Sequence, residues 1–290
     1  MSAFVSTATV TTVGLACKAF LNLGYCSLTV SGLHHLHDTL SSPARNAGQG
    51  LITVANHIST LDDPVAWGVL PTRYYLSCRT TRWTLGASDI MFTNPIFSAF
   101  FRHGQTIETF RGKGVHQPAV DTAIQKLDQG GWVHLFGEGK VNQPEDYPRD
   151  ESGVARLPRF KWGVGRILME TLNPPVIIPM WLTGFDKLMP EGRAFPWKFL
   201  PRYGAQLSVT FGSPIPPEEV LEALGTLSTK LAPHDTVQPT IRVKDQISQL
   251  QAPYMAQEDL SKTRSAVTAI IQQRVEALGR SICGDTLTQQ

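Results

Sequence analysis

The rhythm of apolar and polar residues changes three times along this chain. Between Ser2 and Leu33 the only charged side chain is Lys18. A membrane-spanning helix needs about 20 mostly apolar residues in a row. Here Ser and Thr recur throughout, and Lys18 and Asn22 fall near the middle. That mixture predicts a helix dipping into one leaflet with Lys18 snorkelling to the surface. A helix packed on a soluble core is the competing reading. A cleaved targeting peptide fits less well, because the stretch has no arginine.

From Leu51 the texture becomes short β-branched and aromatic runs bounded by turn residues. Leu51 to Ala55, Tyr74 to Ser77, Trp132 to Phe136, Val176 to Leu182 and Gln206 to Phe211 read as strands. Pro179 inside the fourth run points to a sheet edge or a bulge. Helical stretches are expected from Pro64 to Val69, Pro118 to Leu127 and Gly163 to Thr171. This alternation predicts an α/β fold, a mixed or largely parallel sheet flanked by helices. After Gly212-Ser213-Pro214 the composition shifts. Helices are expected over Glu218 to Leu224 and Thr263 to Leu278, joined by a polar connection containing Pro233, Pro239 and Pro253. The resulting division is a membrane-associated segment over 1–40, a main domain over 41–215 and a C-terminal helical extension over 216–290.

Composition narrows the chemistry. The net charge of +2 argues against a nucleic-acid binder. Cys17, Cys26, Cys78 and Cys283 include no CxxC, so neither a zinc site nor a disulfide framework is expected. His34, His35 and His37 read as interfacial polar groups, and no metal is assigned. Three Gly-x-Gly sequences begin at Gly112, Gly137 and Gly163, but Gln117, Asn142 and Leu168 stand where a third glycine would complete a dinucleotide fingerprint. No phosphate loop and no Gly-x-Ser-x-Gly elbow is present. No cofactor is expected.

The chemical candidates follow two of the strands. Directly after Leu51–Ala55 comes Asn56-His57-Ile58-Ser59-Thr60-Leu61-Asp62-Asp63-Pro64. Histidine can take a proton from an alcohol near neutrality and return it, and a carboxylate on its other nitrogen fixes the tautomer. On a regular helix these two residues would not share a face, so His57 is expected in the turn and Asp62 in the first helical turn, with Ser59 as N-cap. The spacing alone is weak, since His116 and Asp121 repeat it. Arg111 ends a glycine-flanked turn suited to a phosphate. Glu138 and Gly139 close the Trp132–Phe136 strand.

In this order, Asn56-His57-x4-Asp62, Arg111, Phe136-x-Glu138-Gly139 and the Pro179 strand resemble the four blocks of the glycerolipid acyltransferases. The likeness covers about residues 50 to 215 and is strongest toward the family's phospholipid–lysophospholipid transacylases, which remodel cardiolipin. It departs at Gly137, where the family usually has proline. The resemblance implies His57 as general base oriented by Asp62, with Asn56, Arg111, Glu138 and Gly139 binding substrate. It implies a phospholipid membrane as partner, with phosphatidylcholine, monolysocardiolipin and cardiolipin as substrates and products, and no coenzyme A. It also implies mitochondrial membranes, facing the intermembrane space. An aromatic and basic stretch from Phe185 to Tyr203 is a second candidate membrane contact. An acyl-coenzyme A-dependent acyltransferase, a lipid hydrolase and a non-catalytic membrane-surface module stay open as rivals, as does a homo-oligomer.

Overall fold

Two strongly apolar runs occupy the centre of the sheet. Leu51–Ala55 (β2) is buried at every position, and Trp132–Phe136 (β5) through its first four. Apolar runs without alternation suit strands covered on both faces. Around them lie Ser27–Ser31 (β1), Trp83–Ala87 (β3), Thr106–Thr109 (β4), Val176–Thr183 (β6) and Gln206–Phe211 (β7). The computed structural model, which describes residues 3–231 and 255–288, joins them into one seven-stranded sheet of order β1-β7-β6-β2-β5-β3-β4. The strands from β2 through β6 are mutually parallel, whereas β6 and β7 run antiparallel. β2 to β6 therefore end at one edge of the sheet, where open α/β folds place their sites.

Helices cover both faces: Ala3–Asn22 (α1), Leu33–Ser41 (α2), Asp62–Ala66 (α3), Ser88–Met91 (α4), Pro95–His103 (α5), Pro118–Asp128 (α6), Gly163–Glu170 (α7), Phe185–Leu188 (α8), Pro217–Leu231 (α9) and Met255–Cys283 (α10). On one face Trp67, in the turn after α3, meets Trp132 and His134 edge to face. On the other, α10 packs on α7 and β6 through the fully buried Val267, Ile271 and Val275. Gly279 lets α10 close on Trp181, whose ring lies 2.7 Å from where a Cβ would stand.

Several expectations need correction. Tyr74 to Ser77 is not a strand: Thr72–Leu76 is a 3-10 turn following Pro71. Buried Tyr75 donates its hydroxyl to the carbonyls of Trp67 (2.8 Å) and Leu70 (3.2 Å), folding the segment back on itself. Pro179 lies in an interior strand, not at an outer edge. Its carbonyl accepts from Gly212 N just past the end of β7, so its missing N–H also faces the side where the ladder stops. Lys18 does not snorkel: its ammonium donates to the carbonyls of Gly68 (3.2 Å) and Leu70 (3.0 Å). Ser6 and Thr11 tie the same helix to His103 and Tyr75 carbonyls, both at 2.8 Å. The predicted connection through Pro233, Pro239 and Pro253 lies outside the described residues.

Candidate active site

β2 ends at Ala55, but its ladder continues one residue further through a side chain. The buried Asn56 amide donates to Leu182 O (3.0 Å) and accepts from Leu182 N (2.8 Å), bonding to β6 as a strand residue would. The chain then turns, and His57 is the first side chain past the edge. Its Nδ1 lies 2.9 Å from Asp62 Oδ2, with the imidazole one-fifth exposed and the carboxylate wholly buried.

One carboxylate oxygen holds this turn together. Asp62 Oδ2 accepts from His57 Nδ1, Ile58 N (2.6 Å) and Ser59 N (2.8 Å). Burial raises the Asp62 pKa, and these hydrogen bonds oppose the rise. The bond to Ser59 N reaches back three residues, as a capping box would, but it ties the turn ahead of the helix and not the helix N-cap. Ser59 itself is not the N-cap: its hydroxyl accepts from Leu61 N (3.2 Å), and α3 begins at Asp62. With Nδ1–H donated to Asp62, the Nε2 lone pair is left for a substrate proton.

The loop after β5 grips the same turn. Glu138, 2% exposed, accepts His57 N–H on Oε1 at 2.8 Å and Asn142 Nδ2–H on Oε2. Asn142 N donates to His57 O (2.7 Å), and Gln143 Nε2 to Ile58 O (3.3 Å). Burial pushes the Glu138 carboxyl up to about 8 against those hydrogen bonds. Gly139 adopts φ +73° and lies under the stem of Lys161. A Cβ at Gly137 would stand 2.3 Å from the buried Phe160 ring, so here a ring fills the space of the family's usual proline.

Asp63 faces away from its neighbour. It accepts from Arg82 Nε (3.0 Å) and Trp67 Nε1 (3.1 Å), and Arg82 Nη2 bonds its other oxygen. Burial alone would raise its pKa, but the Arg82 charge and hydrogen bonds hold it below the usual carboxylate range. Deeper on that face, Trp132 Nε1 donates to Thr53 Oγ1 (2.9 Å), which lies 2.8 Å from His134 Nδ1. Burial pushes His134 down to about 3, so it is neutral.

Arg111 stands on the same edge, but past β4. In the sheet order β4 is three strands from β2, roughly 14 Å at the usual spacing. Its guanidinium is half exposed and 3.4 Å from Asp89. The structure thus gathers His57, Asp62, Glu138 and Gly139, places Asn56 beneath them and sets Arg111 at the rim. In the second His-x4-Asp pair, Asp121 is bonded by Arg166. Asn142, Gln143 and Arg82 escaped the sequence reading, since their roles depend on contacts between loops or between a loop and α3.

The comparisons with known proteins identify the class to which this oriented histidine at the sheet edge belongs. The profile of the family described as Acyltransferase matches residues 27–183, from β1 through the end of β6. The chain belongs to this acyltransferase family. It is 35% identical to the Taffazin of Dictyostelium discoideum over 222 residues, which cover 75% of this chain and 72% of that one. It is also 39% identical to an N-acylphosphatidylethanolamine synthase of Arabidopsis thaliana over 210 residues, 70% of this chain and 69% of that one. The fold resembles the crystal structure of the 1-acyl-sn-glycerophosphate acyltransferase of Thermotoga maritima, with a TM-score of 0.50, 16% identity, and coverage of 94% and 79%. Together these make it an acyltransferase of the tafazzin type.

Proposed function

We propose that this chain is a coenzyme A-independent phospholipid–lysophospholipid transacylase that remodels cardiolipin. The observation that carries the reading is the His57–Asp62 pair, a buried carboxylate fixing an imidazole whose other nitrogen lies at the sheet edge. His57 Nε2 takes the proton of a lysophospholipid hydroxyl as its oxygen attacks the ester carbonyl of a donor phospholipid. The tetrahedral intermediate collapses, the C–O bond to the donor breaks, and His57 returns the proton to the leaving hydroxyl. One ester replaces another, so no energy source is needed. Asn56 and Glu138 act by holding the His57 turn, Gly139 lines the approach, and Arg111 is assigned to the acceptor phosphate.

A membrane-facing surface supports a lipid substrate. The outer side of α1 exposes Phe4, Val5 and Leu15, and its Thr9 and Thr12 hydroxyls donate back to the Val5 and Ala8 carbonyls (2.9 Å each), as apolar surroundings require. Beside its C-terminal end, Tyr25 bonds Pro201 O (2.6 Å), tethering a loop that exposes Phe195, Trp197, Phe199 and Tyr203. Next to its N-terminal end, α5 exposes Ile96, Phe97 and Phe100. These surfaces fit a monotopic enzyme, and the tafazzin relation supports mitochondrial membranes facing the intermembrane space.

The test uses liposomes with acyl-labelled phosphatidylcholine, monolysocardiolipin and phosphatidylethanolamine, without coenzyme A. Label in cardiolipin is the expected result. Transfer that begins only when acyl-coenzyme A is supplied contradicts the donor assignment. Label on the ethanolamine nitrogen would favour the second reading, raised by the Arabidopsis relative, in which the same base deprotonates an amine acceptor.

A further inference from the structure

The bond to Asp62 holds the His57 ring at its Nδ1 corner. A second contact supports the ring across its face. The Phe136 ring stacks on the imidazole, centroids 4.1 Å apart and planes 18° from parallel. Phe136 is itself buttressed: it meets His134 at 4.5 Å and 89°, and His134 meets Trp67 at 4.8 Å and 79°. His134 is pinned by Thr53, which Trp132 also holds. A column of rings thus rises from the buried face of the sheet to the histidine at its edge. The column gives the buried Thr53–His134 pair, which takes no part in the proton transfer, a mechanical role.

We propose that Phe136 is a positioning residue that sets the plane of the His57 imidazole and so aims Nε2 at the acceptor hydroxyl. The face of an arene also attracts the positive charge that the ring carries midway through transfer. The proposal rests on His57 being the base. It predicts a change in turnover rather than in binding, because Phe136 acts through the histidine.

Phe136→Leu keeps an apolar side chain at this half-buried position but removes the flat face, and Phe136→Tyr keeps both. Acyl transfer is measured in liposomes offering phosphatidylcholine and acyl-coenzyme A together, so the result does not depend on which donor is used. The expected result is a kcat about 10- to 100-fold lower in Phe136→Leu, an unchanged KM for the lysophospholipid, and near-normal turnover in Phe136→Tyr. NMR of histidine-labelled protein supplies a readout that needs no activity. The His57 ring protons, assigned with His57→Gln, should lose an upfield ring-current shift in Phe136→Leu and keep it in Phe136→Tyr. Full turnover in Phe136→Leu, an equal loss in both variants, or unchanged His57 resonances would overturn the proposal. If the wild type transfers from neither donor, the functional reading fails while the NMR comparison still decides the stacking.

Discussion

At the scale of single residues, the two buried acids of this site are told apart by what replacing each with its amide should do. Asp62 collects three N–H donors on one oxygen. In Asp62→Asn an amide oxygen can take the same donors without the charge. Folding should survive, while kcat falls about 10²–10⁴-fold, checked by melting and transfer assays on one preparation. Glu138 behaves oppositely. Its carboxyl is raised from 4.5 to about 8, so between those values the folded state binds more protons than the unfolded one. Its contribution to stability is therefore complete below about pH 4.5 and is lost as pH climbs toward 8. Glu138→Gln removes that loss, and the variant should gain in melting temperature relative to the wild type as pH rises from 5 to 8.5. A constant difference across that range would contradict the assignment. At Gly137 any Cβ meets the Phe160 ring. Gly137→Ala should destabilise by about 1–3 kcal/mol, and adding Phe160→Leu should restore part of it, as a double-mutant cycle in denaturant would measure.

At the scale of elements, α1 owes its seat to residues that made the sequence ambiguous. Ser6, Thr11 and Lys18 weaken a spanning pattern because they hydrogen-bond to core carbonyls. Gly14 permits the close approach, for a Cβ there would lie 2.7 Å from the Tyr75 ring. Gly14→Val should loosen the helix, seen as faster amide exchange over α1 with β2 and β5 unchanged. The same logic explains what could be read in advance. β2, β5, β6 and β7 announced themselves as apolar runs, and the likeness to the four family blocks pointed to the sheet edge. β1, β3 and β4 went unseen: the first lies inside the weakly polar stretch before Leu33, the second is broken by Gly86 where Met91 and Thr106 crowd the backbone, and the third is only four residues long with Glu108 inside it. Tyr74 to Ser77 has strand composition, but the Tyr75 hydroxyl bonds nearby carbonyls and the segment becomes a turn. The His57–Asp62 bond was legible because both residues lie in one short turn. The Glu138–Asn142 grip was not, since it joins loops from different strands.

At the scale of the whole molecule, the reacting edge and the apolar surfaces must serve one membrane. Exposed Trp197 and Phe199 flank Lys198 on the loop tied to Tyr25. Replacing both aromatics by serine should weaken co-sedimentation with anionic liposomes and lower transfer in proportion, with melting unchanged, since neither is in the core. The role proposed for His57 is to move the proton of acyl exchange at the sheet edge. It is tested most directly by the rate of label transfer from phosphatidylcholine to monolysocardiolipin in coenzyme A-free liposomes, comparing wild type with a folded His57→Ala. The expected result is transfer by the wild type and a loss to background in the variant. Comparable transfer by both proteins would contradict it.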